Sequence, residues 1–439
     1  MSDQPAPTAS ARLVSLDVFR GITIAAMILV NNPGEWGAIY SPLGHAKWHG
    51  WTPTDLIFPF FLFIVGVAMT FSFDKRLARG DNRVRLMEGV LRRTIILFCL
   101  GLIMYGFPNF RLIAPYILLI VGLILLFRHE PPFTLGRTPE ERINKAIGWA
   151  LTAAAIVWWT WDFSYFQTKH PSPVGVLRVP GVLQRIALCY LAASVVMLWT
   201  GVRGRVIVTL VLLVGYWLIV RHVSPPASYE PGFTGRPEGL LHDWLDQLLL
   251  GEHLYRERPD PEGLLSTLPA IATTLIGILT GTWLHTSRDN RDKALGMFFV
   301  GNILIVAGLW WGMAFPINKK IWTSSYVLLT GGIALEMLAM CFWLIDVKGR
   351  RVWSWPFFVF GTNAITVFFL SGLLGRWMTI WQVEGDRGTM SLKNWIYTEL
   401  FRPTFESAYN ASLAYAAAYL VLWFLLLLPL YRRRIFIKI

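Results

Sequence analysis

Apolar residues along this chain gather in long blocks bounded by charge, proline and glycine, instead of alternating with polar ones. A helix needs roughly 20 consecutive apolar residues to cross a bilayer. Blocks of that order lie at 13–31, 54–73, 88–107, 112–128, 144–161, 182–200, 205–221, 264–284, 294–314, 323–345, 354–375 and 412–430, so twelve membrane spans are expected. The expected fold class is all-α, a polytopic transmembrane helical bundle. Two further segments, Leu240 to Leu250 (LLHDWLDQLLL) and Leu392 to Phe401 (LKNWIYTELF), carry Leu and aromatic residues on one side. They read as interfacial amphipathic helices that can roof a cavity.

Composition agrees with this and removes the soluble classes. Hydrophobic residues make up 54% of the 439 residues and charged ones 15%, against about 25% charged in an ordinary soluble domain. The excess of 40 Lys+Arg over 27 Asp+Glu, +13 in all, belongs to topology and not to a nucleic-acid partner. Basic residues crowd every second inter-block segment, from Lys75, Arg76, Arg79, Arg83, Arg85, Arg92 and Arg93 to Arg432–Arg434. By the positive-inside rule these segments and both termini are cytoplasmic. Residues 1–12 form a short tail without the basic n-region of a cleaved leader, and the first block carries Asp17 and Arg20. The remainder, 13–439, reads as one transmembrane domain with extracytoplasmic loops at 222–263 and 376–411. Cys99, Cys189 and Cys341 fall inside apolar blocks and read as packing residues.

Polar groups at membrane depth are costly and mark function by default. Asp17 and Arg20, three residues apart, either pair with each other or belong to a donor site. Asn31 and Asn32 end the first block, followed by His45, Trp48, His49 and Asp55 in HAKWHGWTPTD. His45 is a general-base candidate or a solvated loop histidine, and Asp55 a substrate contact or a helix cap. RVPGVLQR (178–185), DPEGLLST (260–267), INKKIWTSSY (317–326) and GTNAITV (361–367) are expected to converge on one membrane side, with LYRRRIFIKI a cytoplasmic anchor. Each alone is a cap or interfacial anchor. Together they nominate Arg178, Gln184, Arg185, Asp260, Glu262, Asn318, Trp322 and Asn363, with Trp48 and Asp55, as substrate-binding. HExxH, GxxxxGK[ST] and CxxC are missing, and His45 with His49 lacks a third ligand, so no metal is expected.

These motifs, from LDVFRG (16–21) through Asn31 and His45, WHGWTPTDLIFP, RVPGVLQR, LLLGEHLY (248–255) with DPEG, NKKIW, SSY and GTNAI to LYRRRIFIKI, resemble those of the heparan-α-glucosaminide N-acetyltransferase family of transmembrane acyltransferases, which includes bacterial members. The resemblance implies transfer of acetyl from cytosolic acetyl-CoA to the amine of a glucosamine-type sugar across the membrane, in a bacterial inner membrane. It implies His45 and Asn31 as the catalytic pair. The segment between them is a few residues longer here, with Asn32 a second candidate. Residues 112–170 intervene where the family passes almost directly to the RVPGVLQR-type motif, which reads as an inserted two-helix hairpin on a ten-helix core. Acetyl-CoA phosphates are expected on Arg92 and Arg93, then Lys75 and Arg76, with Arg20 and Asp17 nearby. His45 acts as base or carries the acetyl group. The acceptor is an amino sugar or glycan, and the lipid bilayer the other partner. The competing class is a transporter of amino sugars or cell-wall fragments that transfers no acyl group, and the third a scaffold. Small residues at Ala411–Ala418 offer a face for a homodimer.

Overall fold

The protein, as a computed structural model, is described over residues 13–127, 138–161, 177–226, 240–255, 259–385 and 388–437. The tail expected at 1–12, the last residue of the block at 112–128, and parts of the hairpin at 112–170 and of the loops at 222–263 and 376–411 lie outside these residues. The helices are α1 (Val14–Asn31), α2 (Ile57–Leu77), α3 (Arg83–Gly106), α4 (Phe110–Leu126), α5 (Pro139–Trp161), α6 (Val182–Trp199), α7 (Val202–His222), α8 (Leu240–Leu250), α9 (Thr267–Leu284), α10 (Asn290–Gly312), α11 (Ser324–Phe342), α12 (Trp355–Thr362), α13 (Ala364–Ile380), α14 (Leu392–Ile396) and α15 (Ala408–Arg432). Each apolar block has thus become helix. Among the described residues eight helices are long and apolar enough to cross a membrane, and α12 with α13 makes a ninth. The blocks at 88–107, 112–128 and 144–161 are helical as α3, α4 and α5, but α3 carries Arg92 and Arg93 inside it and α4 has 17 residues.

Helix ends follow local chemistry. The Asn82 side chain accepts the Arg85 N–H at 2.8 Å to start α3, and Asn32 returns its amide to the Ile28 carbonyl at 2.8 Å where α1 stops before Pro33. α1, α2, α9 and α11 form the buried centre, while α7, α10 and α15 turn most of their apolar surface outward, toward lipid. α5 packs on α4 and α4 on α3, with Gly122 and Gly148 backbone against backbone. Residues 13–20 and 436–437 meet at one end of the bundle, the tail end. At the opposite, loop end, residues 31–56 meet the 313–323 loop and the start of α11, and Trp322 of that loop meets α6 and α9.

Three features depart from the sequence reading. The block at 354–375 is bent by 70° between α12 and α13. At the bend the Asn363 amide donates to the Ile435 carbonyl at 3.1 Å, and its oxygen accepts the Ile437 N–H at 2.9 Å. GTNAITV therefore sits at the tail end and not with the other three motifs, because its asparagine is consumed by the C-terminal strand of chain. Secondly, α8 buries polar groups together with apolar ones. His242, Asp243 and Asp246 are buried beside Leu241, and Trp244 and Leu245 pack toward Tyr216 and Phe315, while Leu248 and Leu249 are 64% and 59% exposed. Thirdly, residues before α14 form an antiparallel hairpin of β1 (Gln382–Gly385) and β2 (Gly388–Ser391), with Val383 opposite Met390.

Glycine allows the closest helix crossings. A Cβ at Gly21 would land on the Phe357 carbonyl oxygen and one at Gly361 on that of Asp17, so α1 and α12 touch backbone to backbone. Gly66 and Gly277 do the same for α2 and α9, against the Thr274 and Phe63 carbonyls. Overpacking a well-packed core costs about 1–3 kcal/mol, and here backbone must move. Gly21→Val is expected to lower the thermal midpoint in detergent by more than Gly201→Val, whose added Cβ meets nothing within 4 Å.

Candidate active site

The loop between α1 and α2 folds around one carboxylate. Asp55, with no exposed surface, accepts the Ala46 and Thr52 backbone N–H groups on Oδ2, both at 3.0 Å. Its Oδ1 lies 2.7 Å from His45 Nδ1 and 3.2 Å from Lys319 Nζ. Tyr326 donates its hydroxyl to the Asp55 carbonyl at 2.5 Å, joining this turn to α11. With Asp55 ionised, the short contact is satisfied when Nδ1 carries the imidazole proton, which leaves Nε2 as the basic atom. The His45 side chain is 52% exposed and the Asp55 side chain 1%, so a solvent-accessible imidazole is held by a buried anion. Trp48 lies half-buried on the same loop.

Lys319 is the residue that sequence reasoning missed. Its Nζ is 2.9 Å from His45 Nδ1 and 3.4 Å from Nε2. Burial pulls its pKa below the usual lysine range, and Asp55 opposes that shift. NKKIW was singled out, but nothing in the spacing separates Lys319 from Lys320. The selection is made by the loop. Trp322 adopts a positive φ of 52°, uncommon for a bulky residue. It is fixed there by its indole N–H to Thr273 Oγ1 at 3.2 Å, by Arg185 stacked at 5.1 Å and by edge contacts with Phe58 and Tyr326. Asn318, fully buried, accepts the Ile321 N–H at 3.2 Å. Asn318 and Trp322 therefore shape the loop that presents Lys319. Gly50, at φ 90°, donates its N–H to the Ile317 carbonyl at 2.8 Å and locks this loop to the His45 loop.

Beside this lies a layer of paired charges. Arg178 Nη2 is 2.5 Å from both Asp260 Oδ1 and Glu262 Oε2, its Nη1 3.2 Å from the Tyr105 hydroxyl, and its guanidinium lies between the Tyr105 and Tyr255 rings. Desolvation works against the Arg178 charge, but Tyr105, Glu262 and Asp260 more than offset it and hold its pKa above the ordinary value. Arg178, Asp260 and Glu262 thus answer one another. Arg185, 1% exposed, donates to the Gly263 carbonyl at 2.9 Å and to Ser266 Oγ at 2.5 Å, with Nε and Nη1 lacking a hydrogen-bond partner. α8 covers this region. Burial, then Arg185, pushes His242 down to about 3, and burial pushes Asp246 up to about 7. Gln184 is buried against Gly101 and Gly181.

Three cavities follow one another between the two ends. The largest, about 610 Å³, opens at the tail end and is lined by Asp17, Arg20, Lys75, Arg93, Ala364 and Phe436 among others. A second, about 30 Å³, shares Phe61, Val65, Arg93, Tyr190 and Ile365 with it and adds Met27, Leu97 and Phe368. A third, about 210 Å³, shares Met27 and Phe368 with the second and reaches Asn31, Asn32, Trp36, Ser371, Arg376 and Lys393 at the loop end. Four of the six expected donor residues thus share one cavity. Arg92 faces away, Nη1 3.5 Å from the Phe127 carbonyl, and Arg76 is held by Asp81 at 2.7 Å. Among the described residues no hydrogen bond joins Asn31 to His45; Asn31 lines the outer cavity and His45 the loop cluster. Arg376 of α13 and Lys393 of α14 join Asn31 there.

Residues 12–110, which hold Asn31, His45, Asp55, Lys75 and Arg93, match the family model described as heparan-alpha-glucosaminide N-acetyltransferase, catalytic. The heparan-alpha-glucosaminide N-acetyltransferase of Mus musculus is 25% identical across 81% of this chain and 53% of its own length, and that of Homo sapiens 26% identical across 81% and 52%. This chain is similar to the heparan-alpha-glucosaminide N-acetyltransferases. The resemblance carried by the motifs therefore holds, and the chain spans about half the length of these curated relatives.

Removing one partner of a buried charge cluster costs about 3–5 kcal/mol, because the remaining charge stays buried and unpaired. Arg178→Met is expected to lower the thermal midpoint strongly in detergent, and adding Asp260→Asn and Glu262→Gln to recover part of the loss. An equal midpoint for the single and triple variants would contradict the pairing.

Proposed function

We propose that this protein is a transmembrane N-acetyltransferase that moves acetyl from cytosolic acetyl-CoA to the amine of a glucosamine-type sugar on the opposite side. The observation that carries the reading is the line of three cavities from a cation-lined tail end to Asn31 at the loop end. In this reading the tail end is cytoplasmic, as the basic segments require, and the loop end extracytoplasmic. Arg20, Lys75 and Arg93, with the first turn of α13 opening onto the same cavity, suit the phosphates of CoA through charge-assisted hydrogen bonds and the helix dipole. A nucleotide too charged for lipid stays at that end while its pantetheine arm reaches inward.

At the loop end His45 Nε2 takes a proton from the acceptor ammonium, with Asp55 holding the ring by Nδ1. The neutral amine attacks the thioester carbonyl carbon, and Asn31 donates to the oxyanion that forms. The ammonium proton is released from His45 to water, so that Nε2 can take the second proton from the attacking nitrogen; the C–S bond then breaks, the neutral amide remains on the sugar, and His45 passes that second proton to the departing thiolate. Lys319 acts through Asp55 as a positioning residue: it neutralises the buried carboxylate and keeps Oδ1 turned toward the imidazole.

The test uses purified protein in detergent with radiolabelled acetyl-CoA and glucosamine or a short glucosamine oligomer. His45→Ala is expected to lose about 10² to 10⁴-fold in rate and Asn31→Ala about 10² to 10³-fold, both with acetyl-CoA binding retained. Arg93→Ala is expected to raise KM for acetyl-CoA about tenfold with little change in kcat, one charge-assisted hydrogen bond being worth roughly 1.5–3 kcal/mol. Wild type that binds no acetyl-CoA, yet accumulates amino sugar in vesicles, would make transport the function instead. Separately, Lys319→Met is expected to lower kcat with KM for acetyl-CoA unchanged, and Lys319→Arg to restore part of it; a KM effect alone would remove Lys319 from the positioning role.

A further inference from the structure

Of the three helices that turn most of their apolar surface toward lipid, one carries a polar group at membrane depth. α7 and α15 expose only apolar side chains through their middle stretches, 206–218 and 414–427. α10 exposes Asn302 halfway along its length. The hydrocarbon core is about 30 Å thick, so a side chain at its middle lies roughly 15 Å from the nearest lipid headgroup. An amide there is surrounded by acyl chains that offer it no hydrogen bond.

Helix packing decides how much of this amide is already satisfied. Gly301 lets α10 close onto α11, where an added Cβ would meet the Gly332 carbonyl oxygen at 3.1 Å and Glu336 Oε1 at 2.6 Å. Asn302 Nδ2 donates to Glu336 Oε1 and to the Phe298 carbonyl, both at 2.9 Å. Its side-chain oxygen accepts no hydrogen bond among the described residues. The Phe298 carbonyl is also the i−4 acceptor for the Asn302 backbone N–H, so the amide N–H directed at it can turn away without leaving that carbonyl unpaired. Asn302 therefore has one donor able to turn and one acceptor unfilled.

The residues on either side of it share a spacing. Leu295, Phe299, Asn302, Val306, Leu309 and Met313 follow at intervals of four, three, four, three and four, and the five apolar ones are each at least half exposed. That spacing makes the seam of a left-handed helix pair, the usual crossing in membranes. Gly301 and Gly308, which meet α11, lie on another side of the helix. Two copies inserted in the same orientation are related by a two-fold axis along the bilayer normal, so their α10 helices run parallel and each seam residue meets its own counterpart. A second copy thus brings an asparagine to the one height that needs one, donor to acceptor.

We propose that two copies of this chain associate through α10, in parallel about that axis, with the two Asn302 side chains hydrogen-bonded at the middle of the seam. A single polar residue in an apolar seam fixes register and the number of strands, and the Asn302 pair does both here. The small residues at Ala411–Ala418 are less available, since Ala411 and Ala416 are already buried inside the chain. The association does not depend on which reaction the protein performs.

The test uses the purified full chain in phosphatidylcholine vesicles. Copies labelled with donor and acceptor fluorophores are expected to show energy transfer that falls on dilution with lipid. Asn302→Leu is expected to raise the dissociation constant by roughly 3- to 30-fold, the range of one interhelical hydrogen bond in a bilayer. Phe299→Cys and Val306→Cys are expected to form disulfide-linked dimers under mild oxidation. The wild type, whose three cysteines are buried, and Val211→Cys on α7 are expected to form none. The two seam variants keep Asn302, so they test the face even where Asn302→Leu does not fold. Wild type that shows no energy transfer at any lipid ratio overturns the proposal, as does crosslinking at Ala418→Cys in place of the two seam positions. An unchanged dissociation constant for folded Asn302→Leu overturns it too.

Discussion

A carboxylate cut off from water has its charge answered by the protein or does not keep it. Asp55 is fully buried, and the protein answers it with two backbone N–H groups on one oxygen and with His45 and Lys319 at the other. Those contacts fold a loop that has little apolar content of its own. They also bring residue 319 to residue 45, across most of the chain. Remove the carboxylate and the imidazole keeps neither its orientation nor its neighbour. The Trp322 strain, the Gly50 turn and the Tyr326 hydroxyl all serve this one group, since each fixes a wall around it.

The same demand explains the charged layer beside it. Arg178 is satisfied by two carboxylates and two aromatic faces, and Arg185, bonded to Gly263 and Ser266, acts electrostatically on His242 and Asp246 of α8. Water is largely excluded, so each charge recruits partners from a distant part of the chain, and the recruitment ties α3, α6, α8 and the start of α9 together. The central helices need no such device. Backbone meets backbone at Gly21 and Gly361 and at Gly66 and Gly277, and dispersion between close surfaces does the rest.

Helix positions were readable because a block of about 20 apolar residues has few alternatives in a bilayer. What lay beyond reach was direction. Arg92 and Arg93 are adjacent, yet at 3.6 residues per turn they point about 100° apart; one lines the large chamber and the other meets Phe127. Lys319 and Lys320 pose the same problem in a loop. For α8 the amphipathic pattern was plain, and Leu241, Trp244 and Leu245 do pack inward. The burial of His242, Asp243 and Asp246 among them is what the pattern did not show, because Arg185, whose charge acts on His242 and Asp246, arrives from another helix. The bend at Asn363 left no trace in hydropathy, because GTNAITV continues an apolar block, and only the tail that Asn363 holds reveals its task.

That tail changes how the largest chamber should be regarded. Phe436 and Ile437 are part of its lining, and Ile437 is bonded to the residue at which α12 turns into α13. Whatever is joined to the chain after this point starts at the mouth of the chamber, mechanically linked to the bend. A purification handle fused there is not a neutral appendage: its bulk would crowd the entrance, and any pull on it would be transmitted to the helix that carries Phe368.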